Sequence, residues 1–327
     1  MVDANSKASR IIGIDVGGTG IKLGAVDASS FPPKILHAET LHGHDRVPFE
    51  ETMDRLAKRV EEVGSEVGWD SIQGIGLGVP GLVLHREGIL KEAPNLSHWN
   101  GCYVRKALEE RLNLPVAVDN DANAFALAEW LWGAGEQSAD SVFLTLGTGI
   151  GGGVFANGRM IRGNPGFASE PGHVVIAPKD LTVKGGTTGE AEWYVGNKYI
   201  VKRALEHPHY TADPLVAQVD PLTPKDLYLA AEKGSPVAKD VWGDVGNAIG
   251  ELLVTMVNIL NPERVVFGGG VAQAREWIFE PARKYLGRHG LIARHAPPKI
   301  FLAALGKEAG LLGAAGLMVE REALEES

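Results

Sequence analysis

The side chain best suited to chemistry is the carboxylate of Asp121, which lies between a predicted strand and a predicted helix. Residues 116–118 are a short apolar run typical of a buried strand, and residues 122–130 are rich in alanine, a strong helix former. Open α/β sheets bind ligands beyond the carboxyl ends of their strands, and a helix N-terminus stabilises an ionised carboxylate. This position predicts that Asp121 is a general base. The alternative is that Asp121 and Asn123 only cap the helix.

A glycine-rich turn near the start of the chain is the first element that could position a ligand for that base. Residues 17–20 read GGTG and separate two apolar runs at 11–16 and 21–26, which predicts a β-hairpin. The unhindered backbone N–H groups of such a turn can bind an anion, with a hydroxyl from Thr19 and a charge from Lys22. A plain hairpin turn is the alternative. The turn is not a P-loop, because a strand follows it instead of a helix.

A second glycine turn repeats this pattern. The apolar run at 142–146 is followed by GTGIGG at 147–152, which also satisfies the G-x-G-x-x-G spacing of dinucleotide-binding proteins. That interpretation requires a helix after the glycines, whereas residues 153–156 and the turn Asn157-Gly158 predict a second hairpin. A repeated strand–turn–strand unit predicts two related halves, each with its own phosphate loop.

Other polar residues at predicted strand ends and in loops could bind a substrate. Asn95 and Trp99 lie in a polar loop and suit sugar contacts, and Glu170 and His173 could be metal ligands or sugar contacts.

Composition limits the class of protein. The 327 residues are enough for two domains, and the net charge of −9 argues against a nucleic-acid partner. One cysteine, Cys102, excludes a disulfide framework and a cysteine-based zinc site. No apolar run approaches the roughly 20 residues of a membrane span, and the polar N-terminus does not resemble a signal peptide. We therefore expect a cytoplasmic protein with no membrane partner.

Six motifs in order resemble those of the ROK family of sugar kinases, from residue 11 to about residue 316. The resemblance implies an α/β fold of two ribonuclease H-like (actin-like ATPase) domains with a cleft between them. We expect residues 1–121 and 305–327 to form the smaller domain and residues 122–304 the larger. The motifs are Asp15-Val16-Gly17-Gly18-Thr19, Ala93-Pro94-Asn95-Leu96, Asn120-Asp121-Ala122-Asn123, Leu146-Gly147-Thr148-Gly149-Ile150-Gly151, Glu170-Pro171-Gly172-His173 and Gly268-Gly269-Gly270.

The resemblance also implies a role for each matching residue. Asp121 would be the catalytic base, and Mg²⁺ would lie near Asp15, held through water. The sugar would be bound by Asn95, Asn120, Glu170, His173 and Glu192. ATP would be bound by Gly17, Gly18, Thr19, Lys22, Gly147, Thr148, Gly149, Gly268, Gly269 and Gly270.

The chain departs from the family at its zinc site. Most members hold a structural zinc with the equivalent of His173 and three cysteines, which fall here at Val183, Gly185 and Glu190. We expect no zinc, and packing, a substrate or a partner subunit would order the loop instead. Two smaller departures, Ser169 and Pro171, could change how Glu170 is presented.

The activity implied is transfer of the terminal phosphoryl group of ATP to the 6-hydroxyl of a hexose, with glucose as first choice. N-acetylglucosamine, N-acetylmannosamine, mannose and fructose remain open as acceptors. Polyphosphate remains open as donor, because residues 17–22 resemble the turn of polyphosphate-using glucokinases. A sugar-responsive repressor is the non-enzyme alternative, but only about ten residues precede the first strand, too few for a DNA-binding domain. Family members are usually homodimers or homotetramers.

Overall fold

The computed structural model describes residues 10–18, 20–177 and 189–325, so Thr19 lies outside the described residues. The strands are β1 (Arg10–Val16), β2 (Ile21–Asp27), β3 (Lys34–Leu41), β4 (Ile72–Val79), β5 (Leu82–Leu84), β6 (Ile89–Glu92), β7 (Cys102–Tyr103), β8 (Val116–Asn120), β9 (Ser141–Leu146), β10 (Ile150–Ala156), β11 (Arg159–Met160), β12 (Arg264–Gly268) and β13 (Lys299–Leu302). The α-helices are α1 (Phe49–Val67), α2 (Val104–Leu112), α3 (Asp121–Trp132), α4 (Glu192–Val195), α5 (Asn197–Leu205), α6 (Pro214–Ala217), α7 (Pro224–Glu232), α8 (Pro236–Leu260), α9 (Glu276–His289) and α10 (Ala309–Glu325).

The first five-stranded sheet has the order β3-β2-β1-β4-β8. β1 and β2 form the predicted antiparallel hairpin, in which Asp15 lies opposite Lys22. β1, β4 and β8 run parallel, so their carboxyl ends meet at one edge of the sheet. A separate small sheet, β5-β6-β7, lies in the connection between β4 and α2.

The second five-stranded sheet has the order β11-β10-β9-β12-β13, which repeats the arrangement of the first. β9 and β10 form an antiparallel hairpin, and β9, β12 and β13 run parallel. The predicted repeat is therefore confirmed. The dinucleotide interpretation of residues 147–152 is excluded, because the strand β10 follows the glycines where that motif needs a helix.

The chain divides into two compact units, one around each sheet. The first unit contains the described residues up to Gln137, together with Met160–Ser169 and the residues from Ala304 onward. The second unit contains the described residues of Ser138–Arg159 and Glu170–Ala303. C-terminal helix α10 belongs to the first unit, packed on β1, β4 and β8.

The boundaries of the first unit differ from the predicted ones. Residues 122–137, including the rest of α3, were assigned by sequence to the larger domain, yet they belong to the first unit. The reason is packing: α3 and α10 approach so closely that a methyl group on Gly313 would overlap the carbonyl of Ala124. Among the described residues, no helix is long and apolar enough to cross a membrane.

Candidate active site

Asn120 and Asp121 lie where β8 passes into α3. Asn120, not Asp121, is the helix cap: its Oδ1 accepts hydrogen bonds from the N–H groups of Ala122 (2.8 Å) and Asn123 (3.1 Å). The Asn120 amide also donates to the carbonyl of Gly81 (2.9 Å). Asp121 is the first residue of the helix, and its Oδ1 accepts a hydrogen bond from Ala122 N–H at 2.9 Å. The capping role proposed as the alternative for Asp121 therefore belongs to its neighbour.

The parallel register aligns two carboxylates at the edge of the first sheet. Asp15 on β1 pairs with Gly78 on β4, and Gly78 pairs with Asp119 on β8. Since neighbouring strands lie about 4.8 Å apart, the Cα atoms of Asp15 and Asp119 are separated by roughly 10 Å. Asn120 and Asp121 follow directly beyond this row, at the carboxyl ends of the strands where α/β folds bind ligands.

Asp119 is fully buried and ionically paired. Its Oδ2 accepts a hydrogen bond from Arg162 Nε at 2.7 Å. Its Oδ1 accepts from the backbone N–H of Asn120 (2.7 Å) and from the Asn123 amide (3.0 Å). The two remaining nitrogens of Arg162 donate to the Glu320 carboxylate at 3.0 and 2.5 Å. This Glu320–Arg162–Asp119 network fixes Asp119, which is followed in the chain by the helix cap Asn120 and then by the proposed base Asp121.

His85 borders the same network. Its Nδ1 lies 2.9 Å from the carbonyl oxygen of Val118 and 3.5 Å from Asp119 Oδ2. Burial lowers the pKa of His85, and the charge of Arg162 lowers it further, while Asp119 opposes the shift. For Arg162 itself, burial alone would lower the pKa, but Asp119 and Glu320 raise it above its ordinary value. The network therefore contains the cation of Arg162 and, beside it, a histidine whose pKa lies below its ordinary value.

Asp15 is a largely buried carboxylate between Lys22 and the N-terminus of α10. Burial raises the pKa of the Asp15 carboxyl, and the charge of Lys22 partly offsets this. The carboxylate lies against Gly310 in the first turn of α10, where a methyl group would overlap it. Lys22 Nζ donates to the carbonyl of Lys307 at 3.0 Å, so this predicted phosphate ligand is anchored near the same helix end.

The first glycine turn is tight. Gly17 N–H donates to the carbonyl of Gly20 at 3.0 Å, which closes the loop between β1 and β2. Gly17 is partly exposed and Gly18 is exposed, so their backbones are accessible to a ligand. The predicted role of Thr19 falls outside the described residues.

The second unit places two glycine loops side by side. Gly147 N–H donates to the carbonyl of Gly149 at 3.0 Å, which closes the β9–β10 turn and leaves Thr148 exposed at its tip. The loop after β12, Gly268–Gly270, lies beside it: Gly269 has φ +84°, and its Cα packs directly on the carbonyl of Leu146. The structure thus brings together the two predicted nucleotide loops of this unit.

The Glu192 side chain contacts the second glycine loop. Its Oε2 accepts the Ile150 N–H at 3.1 Å, and its carboxylate fills the space where a Cβ on Gly149 would lie. Asn197 N–H donates to the carbonyl of Gly147 at 2.9 Å. Glu192, predicted as a sugar ligand, therefore also positions a predicted phosphate loop. Glu192 begins the short helix α4, which is separated from α5 by Gly196.

Glu170, His173 and Glu192 interact electrostatically within the second unit. Burial raises the pKa of Glu170; His173 lowers it and Glu192 raises it further. His173 is exposed, and its Nδ1 lies 3.1 Å from Glu190 Oε2. The three predicted sugar ligands of this unit are thus close enough to influence one another.

The loop predicted to contact a sugar through Asn95 and Trp99 has one such residue on its surface. Asn95 is exposed in the 3₁₀ segment Pro94–Trp99. The expectation for Trp99 is wrong: its side chain is fully buried in the core of the first unit, edge-on to Phe49 at a centroid distance of 5.4 Å.

Sequence reasoning missed three charged residues that support the site. Arg162 lies two residues after β11, and Glu320 is the first charged residue of α10, after eleven uncharged residues. Glu129, fully buried on α3, accepts hydrogen bonds from Ala304 N–H (3.0 Å) and Leu305 N–H (2.8 Å). The only available signal was a charged residue within an apolar pattern.

The chain is similar to known sugar kinases and to a sugar-responsive repressor. A glucokinase of Halalkalibacterium halodurans is 32% identical over 317 residues, covering 95% of both chains. The crystal structure of a ROK family glucokinase from Streptomyces griseus in complex with glucose and AMPPNP has a TM-score of 0.76 and 31% identity, covering 94% of this chain and 99% of that one. A xylose repressor of Caldicellulosiruptor bescii is 29% identical and covers 98% of this chain and 80% of its own.

The two repeated sheets with their glycine hairpins define a protein of the two-domain actin-like ATPase fold. Residues 11–321 match the sequence family described as the ROK family, and the chain belongs to that family. Its glucokinase relatives support a hexokinase-type sugar kinase.

Proposed function

We propose that the protein transfers the terminal phosphoryl group of ATP to the 6-hydroxyl of a hexose, with glucose as the preferred acceptor. The observation that carries the proposal is the position of Asp121, an acid that begins α3 at the carboxyl edge of β1, β4 and β8. The choice of glucose and ATP is supported by the relative bound to glucose and AMPPNP, with 31% identity.

Asp121 acts in the proposal as general base. Asp121 lies in the first turn of α3, and in the proposal its carboxylate accepts the proton of the attacking hydroxyl. General-base catalysis of this kind contributes about 10²–10⁴ in rate. The Glu320–Arg162–Asp119 network fixes Asp119, two residues before the base, which limits the positional freedom of the base.

The glycine loops bind the phosphates in the proposal: Gly17 and Gly18 in the first unit, and the loops at Gly147–Gly149 and Gly268–Gly270 in the second. Because the N–H groups of Gly17 and Gly147 close their own turns, the donors to phosphate are the other N–H groups of these loops. Accessible N–H groups stabilise the charge that develops on the transferred phosphoryl group. Thr19 and Lys22 of the first turn retain their expected phosphate contacts as part of this proposal.

The surroundings of Asp15 fit a magnesium site. Mg²⁺ binds through one or two carboxylates, several waters and the substrate phosphates, so a single acidic residue suffices. Burial raises the pKa of the Asp15 carboxyl, and a cation bound nearby would favour its ionised form. We propose that Asp15 holds Mg²⁺ through water, where the ion would neutralise charge on the nucleotide phosphates.

The sugar hydroxyls are bound in the proposal by Asn95, Asn120, Glu170, His173 and Glu192. An ionised carboxylate only accepts hydrogen bonds, so a sugar hydroxyl bound by Glu170 acts as the donor. Asn120 uses its oxygen twice for capping and one amide hydrogen for the carbonyl of Gly81, which leaves its second amide hydrogen as the donor to a ligand.

A panel of sugars crossed with ATP and polyphosphate, read out by the mass of the phosphorylated product, tests the proposal. Glucose 6-phosphate formed with ATP supports it, whereas N-acetylglucosamine, N-acetylmannosamine, mannose or fructose as the preferred acceptor would correct the substrate. Sugar binding without turnover by either donor would overturn the kinase proposal and favour a regulator like the xylose repressor it resembles.

Two further properties belong to the proposal. A kinase that consumes ATP and free hexose acts where both are present, and we place the protein in the cytoplasm. The family resemblance favours a homodimer or homotetramer, which light scattering on the purified chain would measure.

A further inference from the structure

His173 and Glu190 join two segments that flank the loop of the lost zinc site. Val175 and Glu190 form an isolated antiparallel bridge, and Ile176 N–H donates to the carbonyl of Gly189 at 2.7 Å. The side chains add a second connection, because His173 Nδ1 lies 3.1 Å from Glu190 Oε2. The two segments are therefore paired through both backbone and side chains.

The residues present here do not fit a structural zinc. Such sites are usually four-coordinate, with cysteine and histidine ligands, and the chain's one cysteine, Cys102, lies in the first unit. Within residues 10–18, 20–177 and 189–325, no group of three or more His, Cys, Asp and Glu could hold a metal ion. Glu190 stands at a position where the family resemblance places one of the three cysteines.

The chemistry of the pair determines the state of the histidine ring. An ionised carboxylate only accepts hydrogen bonds, so Glu190 requires a proton on His173 Nδ1. In the neutral imidazole, Nε2 is then an unprotonated acceptor. The Glu190 side chain is 11% exposed and the His173 side chain 60% exposed, so the carboxylate is the fixed partner and the ring faces solvent.

We propose that Glu190 is a positioning residue that replaces the zinc of related proteins. It holds the His173 ring in one orientation and one tautomer, so that Nε2 accepts a hydrogen bond from a sugar hydroxyl next to Glu170. Metal-bound histidines are oriented by carboxylates in the same way, and loss of such a partner costs about 10–100-fold in affinity or activity. This inference rests on the proposed function, because it assigns the ring a sugar to bind.

The first test measures the tautomer of His173, which does not depend on any activity. Nitrogen-15 NMR of the full chain, with the His173 signals assigned through His173→Gln, is expected to show the Nδ1–H form in the unmodified protein. In Glu190→Ala the signals should shift toward the Nε2–H form. An unmodified protein in which His173 is mainly Nε2–H would overturn the proposal, as would stoichiometric zinc in the purified protein.

The second test is a double-mutant cycle on glucose affinity, measured by calorimetry. Glu190→Ala is expected to weaken glucose binding about tenfold or more, but to add less than about twofold in a His173→Ala background. A merely structural role would make the two losses multiply, which would contradict the proposal. Glu206→Ala, which removes an exposed carboxylate of the same unit, is the matched control and should leave affinity unchanged.

Two further measurements separate the possible failures. If Glu190→Ala unfolds, Glu190→Gln keeps an acceptor for Nδ1–H and is expected to retain most of the affinity. If the unmodified protein binds no sugar, the proposed function fails while the tautomer result still decides whether Glu190 orients His173.

Discussion

Replacing Arg162 by methionine tests the buried network beneath the proposed base. Arg162→Met keeps much of the side-chain volume but leaves the Asp119 carboxylate, which is fully buried, without its closest cation at 2.7 Å. Breaking a buried ion pair by removing one partner costs about 3–5 kcal/mol. Since Asp119 keeps its hydrogen bonds from Asn120 and Asn123, we expect a loss near the lower limit, about 3 kcal/mol.

The pH dependence of the variant gives a sharper signature. In the unmodified protein the pKa of His85 lies below its ordinary value of 6.5, so the unfolded chain binds more protons and stability falls as pH drops below that value. In Arg162→Met the repulsion from Arg162 is gone and Asp119, 3.5 Å from His85, has lost its cation, so the folded pKa of His85 should rise toward its unfolded value while burial still lowers it. The variant should therefore lose less stability than the unmodified protein as pH falls through the ordinary pKa of histidine.

Urea denaturation at several pH values between about 8 and 6 measures both effects. The stability difference between the two proteins should shrink toward acid pH, and His85→Asn in the Arg162→Met background should abolish this recovery. Arg59→Met, which breaks a more exposed pair with Glu39, is the control and should cost at most about 1 kcal/mol. A loss below about 1 kcal/mol for Arg162→Met, or a difference independent of pH, would refute the reasoning.

Three further variants test the phosphate, metal and sugar groups. Gly149→Ala puts a methyl group into the Glu192 carboxylate and should raise the KM for ATP about tenfold or more in steady-state kinetics. Gly310→Ala puts one against Asp15 and should raise the Mg²⁺ concentration needed for half-maximal activity. Because burial raises the pKa of Glu170, its carboxylate should be protonated at a pH above the range of an ordinary glutamate. Calorimetry should therefore show that glucose affinity decreases as the pH is lowered into that range, and Glu170→Gln should remove this dependence.

One control serves both glycine variants. Gly243 on α8 has nothing within 4 Å of its would-be Cβ, so Gly243→Ala should leave the KM for ATP and the Mg²⁺ requirement unchanged. A Gly149→Ala or Gly310→Ala protein that behaves like this control would show that the close approach has no functional role. If the unmodified protein keeps a constant glucose affinity as the pH is lowered to the pKa range of an ordinary glutamate, the role given to Glu170 is contradicted.

The repeated hairpins could be predicted because their signals are local. Apolar runs of strand length and a glycine turn between them lie within about fifteen residues, so periodicity and turn chemistry suffice. The position of Asp121 between a strand and a helix could be predicted in the same way, because the two elements follow each other directly in the chain.

The supporting network could not be predicted because its members are distant in sequence. Arg162 is 43 residues from Asp119 and 158 from Glu320, and their contacts depend on tertiary packing alone. The burial of Trp99 could not be predicted either. Its polar neighbours in sequence suggested an exposed loop that contacts a sugar, whereas its large apolar side chain is buried in the core. The domain assignment of α3 also depended on packing against α10, about 180 residues later.

The catalytic role of Asp121 is tested most directly by Asp121→Asn, with turnover and sugar affinity measured on the same preparation. Asparagine keeps the size and polarity of the side chain but cannot accept the proton. We predict that kcat with glucose and ATP falls about 10²–10⁴-fold, while the Kd for glucose changes by less than about threefold. A variant that retains kcat within about threefold of the unmodified protein would contradict the assignment of Asp121 as the base.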